Sequence, residues 1–163
     1  MPFRVGGYAK LEDDIGIEPV MAKPVTPLHW PEYLIEAVAI GTFMVSAAVF
    51  AAALYHPSSP FSGAISHEVV RRALMGLAMG STAAAIIYSP WGQRSGAHMN
   101  PAVTVTFFRL GKVARPDVIG YITAQFIGAM VGMGAAAVAL GSLVSHPAVN
   151  YVTTLPGPTG DAL

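Results

Sequence analysis

The residues whose types and spacing could do chemistry are concentrated in one run, SGAHMNPAV at 95–103. Two further polar side chains, Glu36 and Gln125, stand inside apolar stretches. Asn100 followed by Pro101 reads as a helix start, because asparagine is a preferred N-cap and proline is favoured in the first turn. As a cap, the Asn100 side-chain oxygen accepts a backbone N–H, which leaves its amide N–H groups free to donate sideways to a solute. The helix behind it aims an N-terminal partial charge of about +0.5 at the same place. Such donors suit a neutral hydroxyl and oppose a cation or hydronium. In the loop ahead, the carbonyls of Gly96, Ala97 and His98 have no helical partner and must bond to water or substrate, as a ladder of acceptors. For His98, no carboxylate or second histidine lies within helical reach. A loop-orienting or pore-lining imidazole is therefore favoured over a metal ligand or general base. Ser95 lacks the base and orienting acid a nucleophile needs. No catalytic residue, metal or cofactor is expected.

The elements that must position these groups read as membrane helices. Of 163 residues, 53% are apolar and 11% are charged, against about 25% charged in a soluble domain. No charge falls between Glu36 and Glu68, between Arg72 and Arg94, or between Asp117 and Asp161. Gaps that long cannot coat a water-soluble globule, so the composition excludes a disordered chain and argues against a soluble enzyme. A net charge of zero leaves no polycationic face for nucleic acid. With no cysteine, disulfides, zinc–thiolate sites and thiol catalysis are excluded.

Three stretches reach the roughly 20 apolar residues a bilayer crossing requires: about 33–55, 69–88 and 118–144, each closed by a proline at its exit. A fourth, Met99 to Phe108, makes only about 15 Å of helix, half a bilayer. It reads either as a re-entrant half-helix, with its loop across 95–108, or as a surface turn with an interfacial helix. Residues 1–30, acidic and proline-bearing, are expected to form a flexible tail. Basic residues favour one orientation. Arg4, Lys10, Lys23, Arg94, Arg109, Lys112 and Arg115 fall on one side of a three-span chain, and Arg71 and Arg72 on the other. That puts the N-terminus in the cytoplasm and residues 146–163 across the membrane.

The run SGAHMNPAVT resembles the first signature of the major intrinsic protein family, the aquaporins and glycerol facilitators, whose re-entrant loop carries Asn-Pro-Ala. The resemblance extends to Glu36, to the Gly76–Gly80 region and to YITAQFIGA at 121–129. It implies an all-α membrane protein with three transmembrane helices and one re-entrant half-helix, one repeat of the aquaporin-like inverted-repeat fold, over 31–145. It also implies a passive channel for water or small neutral solutes such as glycerol in the cell membrane, a homotetramer at full length. Asn100, Pro101, Ala102, His98, Ala97, Gly96 and Met79 would line or shape the pore, with Met75 an alternative to Met79. Glu36 and Gln125 would prop the loop, or else snorkel to water. The family's Gly-Thr follows the glutamate closely, whereas here Gly41-Thr42 come later. Gly76 with Gly80, and Gly128 with Gly132, are small-residue pairs on one helix face and read as packing.

That family's channel has two inverted halves, each with an Asn-Pro-Ala loop, and this chain carries one. Its other asparagine, Asn150, precedes a tyrosine, and the last residues, GDAL, fall about where a fourth span would begin. The expectation is the first half of a longer channel, needing a second half for a complete pore. The competing reading is a truncated, non-transporting membrane protein or a subunit that only packs against a partner.

Overall fold

The computed structural model describes residues 28–154. The expected tail lies outside the described residues as far as residue 27, and so does the expected far-side loop from residue 155 onward. The chain runs α1 (Trp30–Tyr55), α2 (Pro60–Ala64), α3 (Glu68–Tyr88), α4 (Pro90–Ser95), α5 (Pro101–Arg109), α6 (Arg115–Leu140) and α7 (Ser142–Ser145), then a 3₁₀ turn (Asn150–Val152). Among the described residues there is no strand. It is an all-α membrane fold. α1, α3 and α6 are long and apolar enough to cross a bilayer; α5, with nine residues, is about 14 Å long and is not.

Prolines punctuate these elements from both directions. His56-Pro57 ends α1, because a residue before proline is pushed out of the helical region. Ser89-Pro90 ends α3 and also starts α4: the Ser89 hydroxyl donates to the Ile86 carbonyl at 2.7 Å and accepts the Gly92 N–H at 2.9 Å. Ser59-Pro60 starts α2 in the same way, with the hydroxyl capping Phe61. Reading these prolines as stops alone misses α2 and α4, because Ser-Pro is also a cap followed by a first-turn proline. The third span differs too. Its helix ends at Leu140, where Gly141 adopts φ +56°, and a separate turn, α7, follows.

α1 and α6 form the most extensive pair. Their seam is backbone on backbone. A Cβ at Gly128 would sit 2.1 Å from the Ala37 carbonyl oxygen, and one at Gly132 would sit 2.4 Å from that of Gly41. Gly41 thus has a packing reason for its place in the chain. Further along, Ala48, Ala136 and Val144 close one small core, and Ala51, Ala52 and Val149 another, with Met75 and Leu140 against it. α3 has no buried residue, and a Cβ at Gly76 or Gly80 would touch nothing within 4 Å.

Candidate functional site

The loop between α4 and α5 packs against α1 and α6 in their N-terminal halves. Glu36 lies six residues into α1 and Gln125 ten residues into α6, about 9 and 15 Å from their starts. Both reach the loop there. The Glu36 side chain is fully buried and accepts four hydrogen bonds. Its Oε1 takes the Ser95 hydroxyl at 2.9 Å and the His98 N–H at 2.9 Å. Its Oε2 takes the Met99 N–H at 2.8 Å and the Gln125 amide at 3.0 Å. A carboxylate with every donor supplied by protein has no need to snorkel to water.

These bonds hold a backbone that would not choose its own shape. Gly96 has φ +89°, and Ala97 and Met99 stand at +44° and +46°, in the left-handed region. Each residue with a Cβ there costs about 1–2 kcal/mol, and both sit beside N–H groups anchored through Glu36 or Ser95. The consequence is directional. Among the described residues no donor reaches the carbonyls of Gly96, Ala97 or His98, whereas the Ser95 carbonyl is taken by the Tyr121 hydroxyl at 2.8 Å.

Asn100 caps α5. Its side-chain oxygen accepts the Ala102 N–H at 2.8 Å, and Pro101 occupies the first helical position. Asn100 and Ala102 are exposed, while Ala97 and His98 are buried. The His98 ring is clamped between Phe107, stacked at 4.9 Å, and Tyr121 at 4.8 Å, with its Nδ1 3.1 Å from the Thr104 hydroxyl. No group of three or more metal-ligating side chains occurs among the described residues.

Two members of this cluster stand in the runs that carry the resemblance but have no role in the sequence reading. Thr104, fully buried, receives the Gln125 amide at 3.0 Å and so joins α5 to α6. Tyr121, one turn before Gln125, holds Ser95. Besides those runs, spacing is a signal: Thr104 stands four residues after Asn100, and Tyr121 four before Gln125 on the same helix face. Met79, on α3, is half-buried and not among these groups. Met75 packs on Ala51 and Ala52 instead.

The major intrinsic protein family matches residues 25–156. The chain is similar to a probable aquaporin AqpM of Archaeoglobus fulgidus, 40% identical over 47% of this chain and 35% of that protein. It is similar also to an aquaporin of Encephalitozoon intestinalis, 34% identical over 71% of this chain and 44% of that one. A glycerol uptake facilitator protein-like 6 of Lactiplantibacillus plantarum is 41% identical over 52% and 36%. No solved structure matches the chain. It spans between about a third and a half of the length of these relatives.

Proposed function

The chain belongs to the major intrinsic protein family, and we propose that it forms one half of a passive channel for water or small neutral solutes such as glycerol, completed by a second, inverted half. The observation that carries this reading is the loop at 96–100. Among the described residues no donor reaches the carbonyls of Gly96, Ala97 or His98, and a helix N-terminus capped by an exposed asparagine follows directly. A neutral hydroxyl passing there meets acceptors in a row and then the Asn100 amide donors. Its own bonds are replaced one at a time, so little desolvation free energy is lost. A cation gains from the carbonyls but is opposed at the cap by the positive end of α5. Pro101 and Ala102 keep that first turn close to the path, His98 stiffens the loop, and Met79 narrows the opposite wall. Glu36 and Gln125 are positioning residues, acting through the loop they hold.

In this reading the N-terminus is cytoplasmic, the protein is multi-pass in the cell membrane, and the completed channel assembles as a homotetramer. The test is stopped-flow shrinkage of proteoliposomes. Vesicles with this chain alone should match the lipid background, since one half-helix cannot close a pore. Vesicles with this chain fused to the second half of the Archaeoglobus relative should pass water or glycerol. Robust flux from the chain alone would overturn the half-channel. No flux from a folded fusion would favour the non-transporting packing subunit.

A further inference from the structure

The end of the bundle away from Asp117 carries the same short turn twice. His56-Pro57-Ser58 follows α1, and His146-Pro147-Ala148 follows α7. In each, the ring Nδ1 accepts the main-chain N–H two residues on, from Ser58 at 3.1 Å and from Ala148 at 3.1 Å. The two rings then meet edge to face, with centroids 4.6 Å apart. A ring nitrogen that accepts an N–H carries no proton of its own, so both turns select the neutral tautomer with its proton on Nε2.

We propose that His56 and His146 form an acid-released clasp that holds the segment after α1 against the turn after α7. Imidazole changes charge between pH 5 and 8. A proton added at Nδ1 of His146 faces the Ala148 N–H, donor against donor, so the turn must open. His56 is more tolerant, because the Ser58 hydroxyl, 2.7 Å from its Nδ1, can accept the new N–H. A second proton makes two adjacent cations. Among the described residues no acidic group compensates them. The charged and titratable groups at this end are Tyr55, with the Arg71 guanidinium over its ring at 5.8 Å, then His67, the Glu68–Arg72 ion pair, and Tyr151 on the 3₁₀ turn. Among the described residues no carboxylate pairs with either imidazole. Opening has a defined consequence, because the His146 carbonyl accepts the N–H groups of Val149 and Asn150 at 2.8 Å, and Val149 packs on Ala51 and Ala52 of α1. Acid therefore loosens the turn that covers this end of α1.

The chain has no cysteine, so Gly63→Cys with Ser145→Cys supplies two unique, exposed labelling sites beside the clasp. Spin labels there, read by pulsed electron resonance in nanodiscs, should give a narrow distance distribution at pH 7.5. At pH 5.0 it should broaden reversibly and lengthen by several ångströms. With His56→Gln and His146→Gln added, the two distributions should coincide. His146→Phe, which keeps a ring against His56 but takes up no proton, should hold the pH 7.5 distribution and lose most of the acid shift, because the Ser58 hydroxyl can accept the N–H of a proton added to the remaining imidazole; this guards against misfolding of the double variant. A parent distribution unchanged by pH overturns the clasp, and so does a full-sized acid shift in the double-Gln or the His146→Phe chain.

Discussion

A carboxylate inside a membrane span costs on the order of 2.5–3.5 kcal/mol, and at Glu36 four protein donors offset it. Glu36→Leu strands a hydroxyl, two backbone N–H groups and an amide in the interior. Each unpaired group costs about 1–3 kcal/mol, so thermal unfolding in detergent should show a loss of several kcal/mol and a poor folded yield. Wild-type melting of Glu36→Leu would mean that the loop is held by something else. At Asn100 the expected effect is on selectivity. Asn100→Asp keeps the cap but exchanges the amide donors for a charge that attracts cations. In the completed channel, water flux should fall modestly while a cation leak becomes measurable by vesicle dye assay. Unchanged flux without leak would remove Asn100 from the pore. His29 offers a pH test outside the spans. Its Nδ1 lies 2.9 Å from Asp117, and that hydrogen bond, helped by the Asp117 charge, raises its pKa above the ordinary 6.5. A raised pKa means stability present in full below pH 6.5 and lost as pH climbs through the raised value. The melting temperature of the parent should exceed that of His29→Gln at pH 6, and the gap should close by pH 9. A constant gap would assign the residue's effect to packing.

At the scale of elements, two small-residue pairs that look alike in sequence have opposite surroundings. The α1–α6 seam leaves no room for a Cβ at Gly128 or Gly132. Gly128→Ala must push the helices apart and should destabilise by about 1–3 kcal/mol, the usual cost of overpacking. Gly76→Ala and Gly80→Ala meet open space inside α3 and should be neutral or stabilising, by up to about 1 kcal/mol. Equal losses in a parallel melting series would disprove the distinction. The seam also governs the site, because it sets Glu36 and Gln125 on facing helices close enough to share one hydrogen bond. The cap of α5 is a local matter, decided within three residues. Its burial against α6 through Thr104 is not.

For the molecule as a whole, the proposed orientation rests on charge: four of the basic residues that favour a cytoplasmic N-terminus, Arg94, Arg109, Lys112 and Arg115, lie beside the loop or at the end of the half-helix and after it. In this cysteine-free chain, Lys112→Cys and Gly63→Cys, introduced singly, should react with an impermeant maleimide from opposite faces of the cell membrane, Gly63 from outside. Labelling of both from one face would end the three-span topology. Sequence alone determined the three spans, the short fourth helix, its asparagine cap and its proline. These depend on stretch length, hydropathy and neighbours within a turn, and the bilayer leaves a helix as the main way to satisfy a spanning backbone. Only the tertiary structure decided that Glu36 meets the loop rather than water, that Thr104 and Tyr121 belong to the cluster, that Gly128 and not Gly76 lies in a seam, and that two distant histidines touch. The partners in each case are tens of residues apart, and which helix face meets which is set by packing between elements, on which the periodicity of a single helix is silent.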